Sequence, residues 1–210
     1  MKVTKFVHSC LLVETPDRTA IFDPGTMSAE ALGAAIPELS RLDDIFITHI
    51  HQDHCDPELI KQLVAKFPDV RITGTPEVVA ELSKAGLKAS VQPPDGVSFF
   101  NAPHESVAPN PTPQNIGIHY LDKLSDPGDS HSFHETKAVL ALPVQAPWGS
   151  SARALELVLE LKPRYVLPIH DWHWDEATRL SSYDNFEQVL GEQGIKFYKL
   201  QTGQPVEIDT

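Results

Sequence analysis

Residues 49–54 read His49-Ile50-His51-Gln52-Asp53-His54, directly after the apolar run Ile45-Phe46-Ile47. No other stretch restricts the fold as tightly. The run lacks polar alternation, which predicts a strand covered on both faces. In an extended segment alternate side chains point the same way, so His49 and His51 converge on one point. Asp53 and His54 then turn toward a helix start and serve a second point. Imidazole and carboxylate are ligands for zinc, iron or manganese. The chain therefore has to present a strand end to a metal, and other segments have to complete the ligand set.

The flanking pattern predicts how. Residues 2–7, 10–14 and 19–23 read as short strands, the last one stopping at Asp23-Pro24-Gly25. An Ala-rich helix is expected over 28–36, with Ser28 as its cap. A second starts at Asp56-Pro57 and runs to about Lys66, and a third runs from Thr75-Pro76 to Lys84 and is closed by Gly86. Two or three short strands are expected over 87–104, a Pro/Asn-rich loop over 108–114, and strands over 115–121 and 138–142. Helices over 150–161 and 175–193 flank a strand over 164–169. Closing strands fall near 196–200 and 205–208. Strands lead and helices punctuate in both halves, which fits two packed sheets with helices outside.

At 210 residues the chain suits one domain, 1–210, and can bury about 70% of its unfolded surface without disulfides. Its two cysteines, Cys10 and Cys55, read as small core residues, and a reducing compartment follows. The formal net charge of −12 argues against nucleic-acid or anionic-membrane partners. No apolar run approaches the roughly 20 residues of a membrane span. The expectation is a soluble cytoplasmic protein with a small-molecule substrate. There is no Gly-x-Ser-x-Gly elbow and no Walker-type phosphate loop.

The hexapeptide resembles the HxHxDH motif of the metallo-β-lactamase superfamily. Four more segments match that pattern in order: Phe100-Asn101-Ala102-Pro103-His104, Gly128-Asp129-Ser130, Val166-Leu167-Pro168-Ile169-His170, and the start from His8 to Phe22-Asp23-Pro24-Gly25. The last resembles a compact branch that includes ascorbate-phosphate-lactonase-like proteins. The resemblance implies an α+β fold, a four-layer αββα sandwich. It implies two divalent ions, with zinc first and manganese or iron as alternatives. Metal 1 takes His49, His51 and His104; metal 2 takes Asp53, His54 and His170; Asp129 bridges. A metal-bridging hydroxide then attacks a small ester, lactone or phosphodiester.

Asp53, His8 and His173 are the candidates for catalytic contact. His131 and His134 follow the bridging aspartate and are candidates for the site mouth. His119 reads as structural. Asp171 is a candidate for holding the outer nitrogen of a ligand histidine, and Asp23 reads as a structural aspartate rather than a ligand. Trp148, Trp172 and Trp174 are expected either as an apolar wall or as interface residues of a homo-oligomer. The segment between His119 and Asp129 is compressed, and a hairpin often found before the bridging aspartate in similar proteins is expected to be trimmed there. Other open readings are an iron-dependent oxidoreductase on the same scaffold and a non-catalytic metal-binding protein.

Overall fold

The computed structural model describes all residues of 1–210 except Ala108 and Asn110. Part of the loop expected over 108–114 thus lies outside the described residues. The chain divides into two compact units. The first comprises Met1–Pro93 with Leu200–Thr210, and the second Pro94–Lys199.

The first unit holds a six-stranded sheet. Its strands are β1 (Lys2–Lys5), β2 (Leu11–Glu14), β3 (Thr19–Phe22), β4 (Asp44–Ile47), β5 (Arg71–Gly74) and, from the far end of the chain, β12 (Pro205–Glu207). The order is β12-β1-β2-β3-β4-β5. The β1–β2–β3 meander is antiparallel, whereas β3, β4 and β5 run parallel. All four residues of β4 are buried, as an apolar run without alternation requires. Asp44 begins this strand fully buried and is held by the Arg18 and Arg71 guanidiniums, the latter at 2.9 Å. Three helices cover a core of Leu12, Ile21, Ile45, Ile47, Leu59 and Leu63. These are α1 (Ala29–Ala35), α2 (Pro57–Lys66) and α3 (Pro76–Lys84). Asp56 and Thr75 cap α2 and α3 by accepting the Glu58 and Val78 N–H groups, each with proline at the first helical position. Ser28 precedes α1 but makes no side-chain cap; its hydroxyl donates to the Gly25 carbonyl at 2.8 Å.

The second unit holds β6 (Val97–Phe100), β7 (Gly117–Tyr120), β8 (Leu124–Asp126), β9 (Val139–Pro143), β10 (Tyr165–Ile169) and β11 (Lys196–Phe197). They form a sheet in the order β11-β10-β9-β8-β7-β6. Helices α4 (Ser151–Leu161) and α5 (Glu176–Gly191) pack on its core. From α5, Tyr183, Phe186 and Leu190 are buried, a helical spacing that faces Phe197 and Val166 in the same cluster.

One expectation is corrected here. Among the described residues, 87–104 contain one strand of the sheet, β6, and not two or three; Ser90 makes only an isolated bridge to Thr73. Pro93 and Pro94 lack the N–H that a ladder needs. Between His119 and Asp129 the compressed segment still makes a short hairpin, in which β7 and the three-residue β8 pair antiparallel. Three residues, Leu121, Asp122 and Lys123, join the strands; the first two have φ of 50° and 54°, and neither is the Asn or Gly that favours left-handed backbone.

Candidate metal centre

The hexapeptide leaves β4 and is clamped by the segment after β3. The Thr26 N–H donates to the Gln52 carbonyl at 2.8 Å and the Asp56 N–H to the Pro24 carbonyl at 3.0 Å. The clamp is so close that a Cβ on Gly25 would stand 1.8 Å from the Asp53 carbonyl oxygen. Glycine is required there by contact. The side chains that follow have defined tautomers. Thr48 donates its hydroxyl to Asp23 Oδ2 at 2.8 Å, so its oxygen is an acceptor for His49 Nδ1–H at 3.1 Å. Asp23 Oδ2 also accepts from His54 Nδ1–H at 2.7 Å. Both imidazoles are thereby held by Nδ1 and turn an unprotonated Nε2 the other way, that of His49 toward His51 and that of His54 toward Ser9. Metal-ligating histidines are held in this manner by carboxylate or hydroxyl partners.

The turned-out nitrogens gather. His49 Nε2 lies 3.1 Å from His51 Nδ1, and the rings of His49 and His54 lie 4.0 Å apart. Asp53 Oδ2 is 4.0 Å from His54 Nε2 and 3.1 Å from His8 Nε2. In the first unit His49 thus lies against both His51 and His54, and Asp53 lies nearer His8 than His54.

The second unit brings His104 and His170 to the carboxylate of Asp129. Asp129 Oδ2 lies 3.5 Å from His104 Nε2, and Asp129 Oδ1 lies 2.6 Å from His170 Nε2. His104 donates Nδ1–H to the Glu105 carbonyl at 2.6 Å, which leaves Nε2, on the Asp129 side, unprotonated. The Asp129 backbone is fixed on both sides: its N–H reaches Asn115 Oδ1 at 3.3 Å and its carbonyl accepts the Glu105 N–H at 2.9 Å. Nitrogen and carboxylate donors turned inward, with outer nitrogens already engaged, fit a zinc, manganese or iron ion.

His8, Asp23 and His170 share one further property. Their φ values are 63°, 46° and 62°, in the left-handed region. Each such residue costs about 1–3 kcal/mol. All three stand just past a strand end, where the reversal turns the side chain onto this chemistry.

The other candidates are placed as follows. His173 is exposed on the turn after β10, with its ring edge-on to Trp172 at 5.2 Å. His131 is buried, its Nε2–H donating to the Pro143 carbonyl at 2.8 Å; burial lowers its pKa. His134 is exposed. His119 stacks on Phe100 at 4.3 Å and bonds Ser125, a structural role as expected. Asp171 accepts the Tyr183 hydroxyl at 2.5 Å, and burial pushes that phenol's pKa up. Cys10 and Cys55 are free and buried, and burial pushes both thiols up to about 12. Sequence reasoning missed Thr48 and Glu105, which adjoin proposed ligand histidines and were readable as neighbours. It placed Trp148 among the site loops, but nothing in its spacing signals the bond to Asp129.

The sequence profile of the Beta-lactamase superfamily domain matches residues 2–170. The chain belongs to the metallo-β-lactamase superfamily. This metallo-β-lactamase chain is 31% identical over 182 residues to Protein Rv0786c of Mycobacterium tuberculosis, covering 81% of this chain and 84% of that one. It is 35% identical over 88 residues to the UPF0173 metal-dependent hydrolase RBAM_026340 of Bacillus velezensis, covering 42% of this chain and 37% of that protein. Its fold matches Igni18, a metallo hydrolase of Ignicoccus hospitalis, with a TM-score of 0.73 at 20% identity, covering 100% and 98% of the two chains. That likeness establishes the metallo-β-lactamase fold, the α+β class expected from the sequence. Among the described residues no helix is long and apolar enough to cross a membrane.

Proposed function

We propose that this chain is a dinuclear hydrolase of small esters, lactones or phosphodiesters, located in the cytoplasm, with 1–210 acting as a single domain. That it is a metal-dependent hydrolase follows from its family. The two-ion centre and the substrate class are the proposal. In it, His49, His51 and His104 hold one ion, Asp53, His54 and His170 the other, and Asp129 bridges. Zinc is the proposed metal, with manganese and iron as the alternatives.

The observation that carries this reading is the Asp129 carboxylate, which turns one oxygen toward His104 and the other toward His170. A carboxylate that faces a proposed ligand of each ion could be shared between the two. Two divalent ions, when bound, supply water ionised near neutral pH and a Lewis acid for the scissile group. The chain's own residues do the rest. Asp53 and Asp129 offset part of the cationic charge. Asp23 and Thr48 hold two histidines in the tautomer that leaves Nε2 available. His8 orients Asp53, and His173, on its exposed turn, is assigned to substrate contact.

The loops 6–10, 23–28, 48–56, 101–107, 127–135, 144–150 and 170–175 carry every proposed ligand or substrate residue, and none contains Lys or Arg. Trp148, Trp172 and Trp174 sit in two of them. A phosphorylated substrate would find no fixed cation on these loops, so uncharged esters and lactones are favoured over phosphodiesters.

The test is elemental analysis of protein purified without added metal, followed by a panel of lactones, esters and phosphodiesters. About two zinc or manganese ions per chain with ester or lactone turnover supports the proposal. Iron with oxygen consumption would replace it with the oxidoreductase reading. A protein that holds no metal even after reconstitution would remove the centre.

A further inference from the structure

We propose that Trp148 is a positioning residue that fixes the Asp129 carboxylate through its indole N–H. The argument rests on the metal-centre reading above, and every residue in it belongs to the second unit.

Asp129 has two oxygens with different neighbours. Oδ1 faces His170 at 2.6 Å. Oδ2 faces His104 at 3.5 Å and also accepts a hydrogen bond from Trp148 Nε1–H at 3.1 Å. An indole N–H is a donor only and carries no charge. It can therefore hold a carboxylate oxygen without taking the proton or neutralising the ligand, unlike a lysine or a histidinium. The last torsion of an aspartate is broad and roughly two-fold, so its partners decide the plane of the carboxylate. One donor on one oxygen is enough to set the plane of the group and thus the direction of both oxygens.

The indole itself is held. Trp148 lies in the turn after β9, where the N–H groups of Ala146 and Gly149 each bond the other's carbonyl at 3.1 Å. His131 packs edge-on to the indole at 5.2 Å. That imidazole is anchored from behind by Nε2–H to the Pro143 carbonyl at 2.8 Å, at the end of β9 itself. The fit leaves no space: a Cβ on Gly149 would lie 2.8 Å from His131 Cε1. The backbone of His131 is tied to Glu105 Oε1 at 2.9 Å, and the Glu105 N–H to the Asp129 carbonyl at 2.9 Å. Strand end, imidazole, indole and carboxylate thus form a connected support. It gives His131 a role as the backing of Trp148, and it gives Trp148 a polar task besides its apolar surface.

The test compares wild type with Trp148→Phe, which keeps an aromatic ring and removes the N–H. Zinc affinity is measured by competition with a chromogenic chelator, and thermal unfolding is measured on metal-free protein. The expected result is at least about tenfold weaker zinc binding, with the metal-free melting temperature unchanged. Gly149→Ala, which crowds His131 and leaves Trp148 in place, should weaken zinc binding in the same direction. Trp148→Phe affinity equal to wild type would overturn the inference. So would a loss of metal-free stability that accounts for the whole effect, or a Trp148→Phe chain that does not fold while Gly149→Ala binds zinc normally. If wild type takes up one zinc, the two-ion reading fails and Trp148 is judged on that ion. If wild type takes up none, both fall.

Discussion

His54 donates Nδ1–H to Asp23 Oδ2 at 2.7 Å, with both side chains wholly buried. Asp23 also takes the Thr48 N–H on Oδ1 at 2.7 Å and the Thr48 hydroxyl on Oδ2. One carboxylate therefore fixes the tautomer of His54 directly and that of His49 through Thr48. Asp23→Asn should lower zinc affinity about 10–100-fold. It should also destabilise the metal-free chain by about 1–3 kcal/mol, because a buried amide cannot serve all three donors. Chelator competition and urea unfolding read the two effects. Unchanged zinc affinity would leave Asp23 with a purely structural role.

Removal of a proposed ligand should act differently. His51 is exposed at the start of its loop, and Asp129 closes no core cluster. His51→Ala and Asp129→Ala should each abolish hydrolysis and lower the metal content, while the far-UV circular dichroism stays that of wild type. Wild-type turnover from either variant would remove that residue from the centre.

Gly25 tests the clamp on the hexapeptide. Its missing Cβ would collide with the backbone of Asp53 and His54, and no side-chain rotation can relieve that contact. Gly25→Ala should cost about 1–3 kcal/mol or more in stability and displace the Asp53–His54 turn, so that metal uptake falls as well. A variant with wild-type melting temperature and metal content would show that the clamp is looser than the backbone contacts imply.

His119 carries a pH dependence. Burial is the main cause that lowers its pKa below the ordinary 6.5, although Glu135 stands 3.4 Å from Nε2. Ser125, Lys137 and Asp122 are its other polar neighbours. The unfolded chain therefore binds this proton more readily than the folded one. The stability that neutral His119 contributes is fully present above the unfolded pKa and is lost as pH falls through the lower, folded pKa. Metal-free wild type should lose more stability than His119→Gln between about pH 7 and about pH 5. Equal slopes for the two proteins would assign the acid sensitivity to other groups.

Much of this was readable in the residues. Asp56-Pro57 and Thr75-Pro76 announced α2 and α3 because capping and proline act locally. The apolar run of β4 announced a strand buried on both faces. The hexapeptide announced a metal because four donors in six residues serve little else. What was not readable depends on distant partners. The β7–β8 hairpin turns on Leu121 and Asp122, which adopt left-handed backbone only because the flanking pairing demands it. Trp148 meets Asp129 across 19 positions, and no local pattern marks such a pair. The strands expected over 87–104 were favoured by composition and lost to the prolines.

The pairing of β1 with β12 has a consequence for the order in which the chain can fold. The Met1 amino group bonds the Ile208 carbonyl across 207 positions, and Val3 pairs with Val206. Closing so long a loop costs little more than closing one half its length, about 0.6 kcal/mol. The constraint is one of timing. During synthesis the whole of 94–199 is available before a single residue of β12 exists. The first unit, which begins the chain, must therefore wait with the edge of β1 unpaired while the second completes itself. While unpaired, that edge is open to pairing with a neighbour.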